Sequence, residues 1–280
     1  MALKISLYTL LANTVSLDEA IKLTADAGFD AIDIRQRDDG KHIMPNISDA
    51  DAAAIRTQIE DAGLEVSGLT TYWEIGKVDP EAAQVELDSL RRSMDTAKAL
   101  GAGLVRVSAA NYDREHGYEE CRAAFREQFA RVGDLAAQMD LVITPEQHPG
   151  RYTSSAGQCL DMCRGLEHPN LGLVFDPGNT MSEGFERPWV QVRMLGPWIR
   201  NVHVKNRWNI EGEPRSHERL AATDVMADAG VLDWDEIADE LAAIGYDGYL
   251  TCEDFAKFDS LEEKFAWNVA FLRGLAEKFE

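Results

Sequence analysis

A short apolar strand followed by a helix recurs eight times along this 280-residue sequence, and this alternation constrains the fold more than any other feature. The strands are short and rich in β-branched side chains, as expected for parallel strands covered on both faces. The predicted strands are residues 4–10, 31–35, 65–71, 104–108, 141–146, 172–176, 199–205 and 249–253. The predicted helices are residues 17–27, 48–63, 80–100, 118–139, 155–166, 189–195, 234–243 and 260–278. Eight such units in a chain of this length predict a (β/α)8 TIM barrel.

The ends of the helices support this division. Ser16 and Ser48 are placed to cap the first two helices, and Pro80 suits a first helical position. Gly28 ends the first helix, as a left-handed C-cap prefers. No linker or low-complexity segment interrupts the pattern, so residues 1–280 are predicted to form one domain. The alternative is a doubly wound open sheet, but no Gly-x-Gly-x-x-Gly motif follows an early strand.

Four of the predicted strands end in a side chain that can bind a metal. The apolar run 171–175 ends in Asp176, which Pro-Gly follows at once, and three other strands deliver Glu146, His203 and Glu253. If these strands belong to one barrel, the four side chains converge at its C-terminal mouth. Three carboxylates and one imidazole suit Mn²⁺, with Mg²⁺, Co²⁺ or Zn²⁺ as alternatives. The competing interpretation is four separate residues, each capping a neighbouring helix or pairing with an arginine.

Composition excludes several classes of function. The net charge of −21 opposes nucleic-acid binding and docking on anionic membranes, since both partners would be repelled. No apolar run approaches the roughly 20 residues that span a bilayer, and no signal peptide is evident. The four cysteines form no Cys-x-x-Cys pair, which fits a reducing cytoplasm. No Gly-x-Ser-x-Gly motif supports a serine hydrolase.

Five segments carry a resemblance to a known superfamily, and it covers nearly the whole chain. The sequence resembles the xylose-isomerase-like TIM-barrel superfamily of sugar (phosphate) isomerases and epimerases. That superfamily includes ketose 3-epimerases, inosose dehydratases and an endonuclease IV branch. The segments are Pro-Glu-Gln-His at 145–148, Phe-Asp-Pro-Gly-Asn at 175–179, His-Val-Lys-Asn at 203–206, Gly-Val-Leu-Asp-Trp at 230–234, and the glutamate at 253.

The resemblance implies a site and a reaction. The four positions Glu146, Asp176, His203 and Glu253 would bind one divalent metal, and the two glutamates would act as acid and base. One glutamate removes a proton next to a carbonyl and the other returns it, through an enediolate held on the metal. The implied enzyme is a metal-dependent isomerase or epimerase acting on a sugar, a polyol-derived ketone or a sugar acid. The glutamates are expected to flank the substrate from opposite sides.

One departure keeps a second reaction open. The family often places histidine three residues after the strand-6 aspartate, and this sequence has Asn179 there. Asparagine can bind a hydroxyl but cannot shuttle a proton at neutral pH. A lyase of the same superfamily, either a dehydratase of the inosose-dehydratase type or a decarboxylase, is therefore the alternative. In the dehydratase, Lys205 or His148 would serve as the acid. A non-catalytic sugar-binding barrel is a further alternative.

Several residues are expected to contact a small carbohydrate-like substrate. His148 follows the first predicted ligand by two positions, and Lys205 follows the histidine by two, so both should face the barrel mouth. Asn179, Arg207 and Trp73 complete the predicted set of substrate contacts. The long irregular segment 206–232 is expected to form a lid or binding loop, in which Trp208 and His217 could also close over a ligand.

The substrate is not named by the sequence. No glycine-rich phosphate loop is evident after strands 7 and 8, which favours a free sugar or sugar acid over a phosphorylated one. A nuclease of the endonuclease IV type would need more histidines than the six present and a basic surface. Barrels of this group often pair, so a homo-oligomer is expected.

Overall fold

Eight parallel strands surround a common axis, and helices cover their outer face. The computed structural model describes residues 3–112, 115–181, 186–209 and 222–280. In chain order the strands are Lys4–Tyr8 (β1), Ala31–Arg35 (β2), Glu65–Ile75 (β3), Leu104–Ala109 (β4), Val142–Pro145 (β5), Leu173–Phe175 (β6), Ile199–Val204 (β7), Asn206–Asn209 (β8), Ala222–Val225 (β9) and Tyr249–Cys252 (β10). All except β8 and β9 belong to the barrel, in the order β5-β4-β3-β2-β1-β10-β7-β6. Parallel bridges from Ile143 to Leu171 and from Glu146 to Val174 join β6 back to β5. The predicted TIM barrel is confirmed.

The helices alternate with these strands, as the sequence pattern predicts. In chain order they are Leu17–Ala27 (α1), Asp49–Asp61 (α2), Pro80–Leu100 (α3), Tyr118–Ala137 (α4), Ala156–Cys163 (α5), Pro177–Thr180 (α6), Pro188–Leu195 (α7), Trp234–Ala243 (α8) and Leu261–Ala276 (α9). Short 3-10 helices cover Thr9–Ala12, Gly196–Trp198 and Glu277–Phe279. Within the described residues, no helix is long and apolar enough to cross a membrane.

The predicted caps at Ser16, Ser48 and Gly28 are confirmed, whereas α5 ends at Cys163 rather than at residue 166. The hydroxyls of Ser16 and Ser48 accept bonds from the backbone N–H groups of Glu19 and Asp51, which satisfies donors that a helix N-terminus leaves unpaired. Gly28 has φ = 94°, the left-handed conformation that a residue with a Cβ rarely adopts. These caps fix where each helix leaves and rejoins the barrel.

The strands alternate between an apolar outer face and a polar inner face. In β7, for example, Val202 and Val204 belong to the hydrophobic core beneath the helices, whereas His203 faces the axis. Barrel interiors of this type are more often filled with branched apolar side chains. Here the deeper interior holds hydrogen-bonded polar pairs, such as the Ser6 and Ser67 hydroxyls at 2.6 Å. The main apolar core therefore lies between the sheet and the helices.

Two regions differ from the sequence-based prediction. The segment 206–232 is not wholly irregular, because β8 and β9 pair as an antiparallel hairpin next to the barrel mouth. Residues 210–221 of that segment, including His217, lie outside the described residues. In addition, Pro177 and Gly178 begin the short helix α6, where the sequence suggested only a turn. The proline suits that helix start because its missing N–H is not needed there.

Candidate metal centre and its cavity

The four predicted ligands come together at the C-terminal mouth of the barrel. Glu146, Asp176 and Glu253 directly follow β5, β6 and β10, and His203 lies in β7. One donor atom from each lies within 4.8 Å of the other three, and all four side chains are buried. Donors on opposite sides of one metal ion are separated by about twice a bond length, roughly 4–5 Å. The cluster therefore has the dimensions of a site for a single ion.

The imidazole of His203 lies at the centre of this cluster. Its Nδ1 is 3.2 Å from Glu146 Oε1, 3.2 Å from Glu253 Oε2 and 3.9 Å from Asp176 Oδ2. Burial opposes the charged imidazolium, but the carboxylates of Glu253 and Glu146 outweigh it and raise the pKa of His203 to about 10. The ring of Tyr8 stacks on the imidazole, with ring centroids 5.9 Å apart. Nδ1 is thus the His203 nitrogen that faces the position of a bound metal ion.

The donor set fits a hard divalent cation. Three buried carboxylate groups and one imidazole are the ligands that Mn²⁺, Mg²⁺ and Co²⁺ accept, and Zn²⁺ also binds oxygen and nitrogen donors. Burial raises the pKa of Asp176 to about 7, although Lys205 acts in the opposite direction. A bound cation would favour the ionised form of Asp176, so the residues present are suited to an ion that would replace its proton.

A buried lysine shares two of these carboxylates. Lys205 Nζ lies 2.7 Å from Asp176 Oδ2 and 2.6 Å from Glu253 Oε2. Burial opposes ionisation of Glu253, but Lys205 and His203 lower its pKa to about 2. A Cβ on Gly178 would approach Lys205 Cγ to 2.8 Å, so glycine at that position leaves room for the lysine stem. Lys205 thus faces the ligand cluster, as its position two residues after His203 predicts.

An arginine that sequence reasoning did not select pairs with the first glutamate. Arg106, in the middle of β4, donates from Nε to Glu146 Oε2 at 2.7 Å and also from Nη2 to that oxygen. Its Nη1 donates to the carbonyl of Thr71 at 2.6 Å. A buried ion needs such partners to offset desolvation. The available signal was a charged residue between two valines in the strand Leu104–Ala109.

Asn179 is held against two predicted ligands. Its Nδ2 lies 2.7 Å from Asp176 Oδ2, 3.2 Å from Glu146 Oε1 and 3.0 Å from the carbonyl of Gln147. Its backbone N–H also donates to Asp176 Oδ1 at 2.9 Å. The side chain therefore orients the carboxylates while it also borders the cavity above them.

A cavity of about 190 Å³ opens above the cluster. Of the predicted substrate contacts, four line this cavity: His148, Asn179, Lys205 and Arg207. Arg207 also pairs with Asp224 of the hairpin, with Nε 3.0 Å from Oδ1. Trp208 in the same hairpin is 56% exposed. Larger depressions of about 550 and 460 Å³ lie at the opposite end of the barrel, away from the four predicted metal ligands.

The placement predicted for Trp73 needs correction. Its indole Nε1 donates to the hydroxyl of Ser93 in α3 at 2.7 Å, so the ring packs between β3 and that helix. Tyr72 lines the cavity instead. The Tyr72 hydroxyl is 2.8 Å from that of Tyr8 and accepts a bond from Arg35 Nε at 3.1 Å. The aromatic side chain available to a ligand at this strand end is therefore the tyrosine.

Comparison with known families identifies the class of protein. Residues 21–275 match the family model described as xylose isomerase-like TIM barrel, so the chain belongs to that family. Among solved structures, a xylose isomerase-like TIM barrel protein from Mycobacterium smegmatis in complex with magnesium superposes with a TM-score of 0.78. The match has 19% identity and covers 99% of this chain and 98% of the other. At that identity it supports the fold alone.

Two relatives carry different activities. A ketose 3-epimerase from Arthrobacter globiformis is 24% identical over 247 residues, which cover 85% of this chain and 77% of the relative. A 3-dehydroshikimate dehydratase from Bacillus anthracis is 22% identical over 149 residues, which cover 53% of this chain and 52% of the relative. The matched region thus spans about half of the dehydratase. The family is one of enzymes, with epimerases and dehydratases among the relatives of this chain.

Proposed function

We propose that this protein is a divalent-metal-dependent isomerase or epimerase that acts on a sugar, a polyol-derived ketone or a sugar acid. The observation that carries the proposal is the pair Glu146 and Glu253, each 3.2 Å from His203 Nδ1. Both border the same cavity. Two carboxylates held in fixed positions beside one ligand cavity are the groups needed to remove and return a proton.

Each glutamate has its own cation. Arg106 pairs with Glu146, and Lys205 pairs with Glu253. These partners keep both carboxylates ionised and therefore able to accept a proton. A bound divalent cation, for which Mn²⁺ is the first choice, would supply Lewis acidity that makes a C–H bond next to a carbonyl easier to ionise. One glutamate, in its ionised form, takes that proton, and the other, which must first take up a proton from solvent, delivers it to the opposite face of the same carbon for epimerisation.

The glutamates are not diametrically opposed in the barrel wall. Glu146 follows β5 and Glu253 follows β10, which are three positions apart in the ring of eight strands. That they flank the substrate from opposite sides stays a prediction.

A lyase is the second candidate, and one residue favours it. Asn179 occupies the position at which related sequences often carry histidine, and it cannot relay a proton. In a dehydratase, a glutamate would remove the proton next to the carbonyl. Lys205 would protonate the departing β-hydroxyl, which leaves as water. Similarity to a 3-dehydroshikimate dehydratase supports this alternative, as similarity to a ketose 3-epimerase supports the first.

Incubation in D₂O with Mn²⁺ and a panel of ketoses, inososes and keto acids tests both candidates. Incorporation of deuterium at one carbon without loss of water supports an isomerase or epimerase. A new unsaturated or deoxy-keto product supports a lyase. Binding of panel members with neither exchange nor product would contradict both and favour a non-catalytic binding barrel.

A further inference from the structure

Three arginines surround the ring of Tyr72, a residue that borders the cavity on the side away from the metal ligands. The guanidinium carbons of Arg35, Arg37 and Arg106 lie 5.4, 4.7 and 5.3 Å from the centroid of the Tyr72 ring. Tyr72 itself lines the cavity. Arg106 pairs with Glu146 and Arg35 pairs with Asp39, so among the described residues Arg37 carries the uncommitted charge beside Tyr72. We call Arg35, Arg37 and Tyr72 the arginine wall.

Arg35 is buried but not fully satisfied. Its Nε donates to the Tyr72 hydroxyl at 3.1 Å, and its Nη2 donates to Asp39 Oδ2 at 2.5 Å. Its Nη1 is buried and has no hydrogen-bond partner among the described residues. A buried unpaired donor on a guanidinium is costly, so it indicates a place where an acceptor belongs.

Arg37 is exposed and packs over the Tyr72 ring. Its side chain makes no ion pair with any residue in the described ranges. The residue is anchored through its backbone, where its N–H donates to the carbonyl of Ile43 at 3.1 Å. Thus the guanidinium is held above an aromatic ring that borders the cavity, while its charge remains uncommitted within this part of the chain.

The charge balance around the cavity becomes positive when a metal is bound. Among the residues that the structure describes around the cavity, the cations are Arg35, Arg37, Arg106, Lys205 and Arg207, and the carboxylates that pair with them or belong to the cluster are Asp39, Glu146, Asp176, Asp224 and Glu253. These two sets are equal in number, so a divalent ion would add two positive charges. If Asp33, deeper in the barrel, is also ionised, one net positive charge remains. A positive site in a chain of net charge −21 is a local feature that attracts an anion.

We propose that the arginine wall is a subsite for an anionic oxygen group, a carboxylate or a phosphate, on the end of the substrate remote from the reacting carbonyl. This inference rests on the proposed function and narrows its substrate class to acidic sugar derivatives. A planar guanidinium fork suits such groups. Binding the anion there would press the carbonyl end toward Glu146 and Glu253 on the other half of the wall.

Matched ligand pairs test the subsite. D-tagaturonate and D-tagatose, and D-fructuronate and D-fructose, differ only in whether carbon 6 is a carboxylate, and the two ketose 6-phosphates provide the phosphate arm. Dissociation constants for the Mn²⁺-loaded protein would be measured by calorimetry at low and high salt. At least one acidic ligand is expected to bind about tenfold more tightly than its neutral partner, with a preference that shrinks as salt increases. The tighter of the carboxylate and phosphate arms identifies the anion.

Arg37→Met is expected to reduce the acid-over-neutral preference about tenfold, mainly through KM or the dissociation constant. Arg37→Lys should restore part of that preference, because it keeps the charge but loses the fork. Arg200→Met, at an exposed arginine near the opposite end of the barrel, is the matched control and should leave the preference unchanged. The inference is overturned if no acid binds more tightly than its neutral partner, or if Arg37→Met and Arg200→Met behave alike. Tight binding of acids without deuterium exchange would count against the proposed reaction but not against the subsite.

Discussion

The two halves of the barrel wall carry opposite chemistry at the same cavity. The half formed by β5, β6, β7 and β10 presents three carboxylates and an imidazole. The half formed by β1 to β4 presents the hydroxyls of Tyr8 and Tyr72 and the guanidinium groups of Arg35 and Arg106. The first half is suited to holding a cation and moving protons, and the second to donating hydrogen bonds to a ligand. The contrast shows how one barrel can separate chemistry from positioning.

Besides the pairing of β4 with β5 and of β1 with β10, two side-chain contacts beside the metal ligands couple the halves. Arg106 on β4 donates to Glu146 at the end of β5, and Tyr8 on β1 stacks on His203. A ligand that moves a group of one half therefore alters the environment of the other. The following predictions test whether one half carries the chemistry and the other positions the ligand.

The largest effect is expected from Glu146→Gln or Glu253→Gln. Either change removes a proton acceptor while keeping an oxygen ligand, so turnover should fall by at least about 10³-fold while some metal stays bound. Deuterium exchange and Mn²⁺ titration of each variant measure the two effects separately. Glu65→Gln, at a glutamate paired with Lys4 at the other end of the barrel, is the control. Full activity in both active-site variants would remove the basis for assigning the chemistry to this half.

Arg106→Met should destabilise the fold itself. It leaves Glu146 buried without its cation, and breaking one partner of a buried pair costs about 3–5 kcal/mol. Denaturant unfolding of the metal-free protein gives the free-energy change. The double change Arg106→Met with Glu146→Gln should recover part of the loss, because the uncompensated charge is then gone. Arg193→Met, which breaks an exposed pair with Glu240, should have a far smaller effect.

Metal affinity should increase with pH. The raised pKa of about 10 means that His203 holds a proton at neutral pH in the metal-free protein, and a metal must displace it. Affinity is therefore expected to rise about tenfold per pH unit between pH 7 and pH 9, and more steeply below the Asp176 pKa of about 7, where a second proton is displaced. Calorimetry of Mn²⁺ binding in buffers of different ionisation enthalpy measures the released protons. An affinity independent of pH over this range would show that the imidazole is already neutral.

The smallest effect is expected from Tyr72→Phe, which is compared with Trp73→Phe. Tyr72→Phe removes the hydroxyl that contacts Tyr8 and Arg35, so KM should rise roughly 3–10-fold, equivalent to about 1 kcal/mol. Trp73→Phe loses only the bond to Ser93 and should lower thermal stability slightly without raising KM. Steady-state kinetics and thermal unfolding of the two variants make the comparison. If KM instead rises in Trp73→Phe and not in Tyr72→Phe, the ligand contact belongs to the tryptophan.

The fold and the ligand set could be predicted because their signals are local. Strand and helix periods differ, and helix ends carry their own capping residues, so the alternation is visible without any tertiary information. Parallel strands in a barrel all end at one mouth, so the strand-end residues Glu146, Asp176, His203 and Glu253 could be predicted to meet. That the chain forms one domain, works in the cytoplasm and associates with copies of itself stays a prediction.

The other half of the cavity could not be predicted because its geometry depends on pairing between strands. Ile32 pairs with Val66 and Asp33 pairs with Gly68, so Ser67 is an extra residue in β3. Such a bulge reverses which later side chains face the axis, and it places Tyr72 rather than Trp73 at the cavity. Arg106 was overlooked for a related reason, since a charge within a strand has no meaning until its partner on the next strand is known.

The polar lining of the barrel has a consequence for how this scaffold can change. Apolar packing is carried by outward-facing side chains such as Ile5, Val202 and Leu250, whereas Ser6, His203 and Thr251 on the same strands face inward. Replacing an inward-facing residue therefore leaves the apolar core under the helices intact. What limits such an exchange is whether its neighbours in the lumen still find hydrogen-bond partners. Groups that face the cavity and groups that form the apolar core thus lie on alternate residues of each strand, so one set can change without repacking the other.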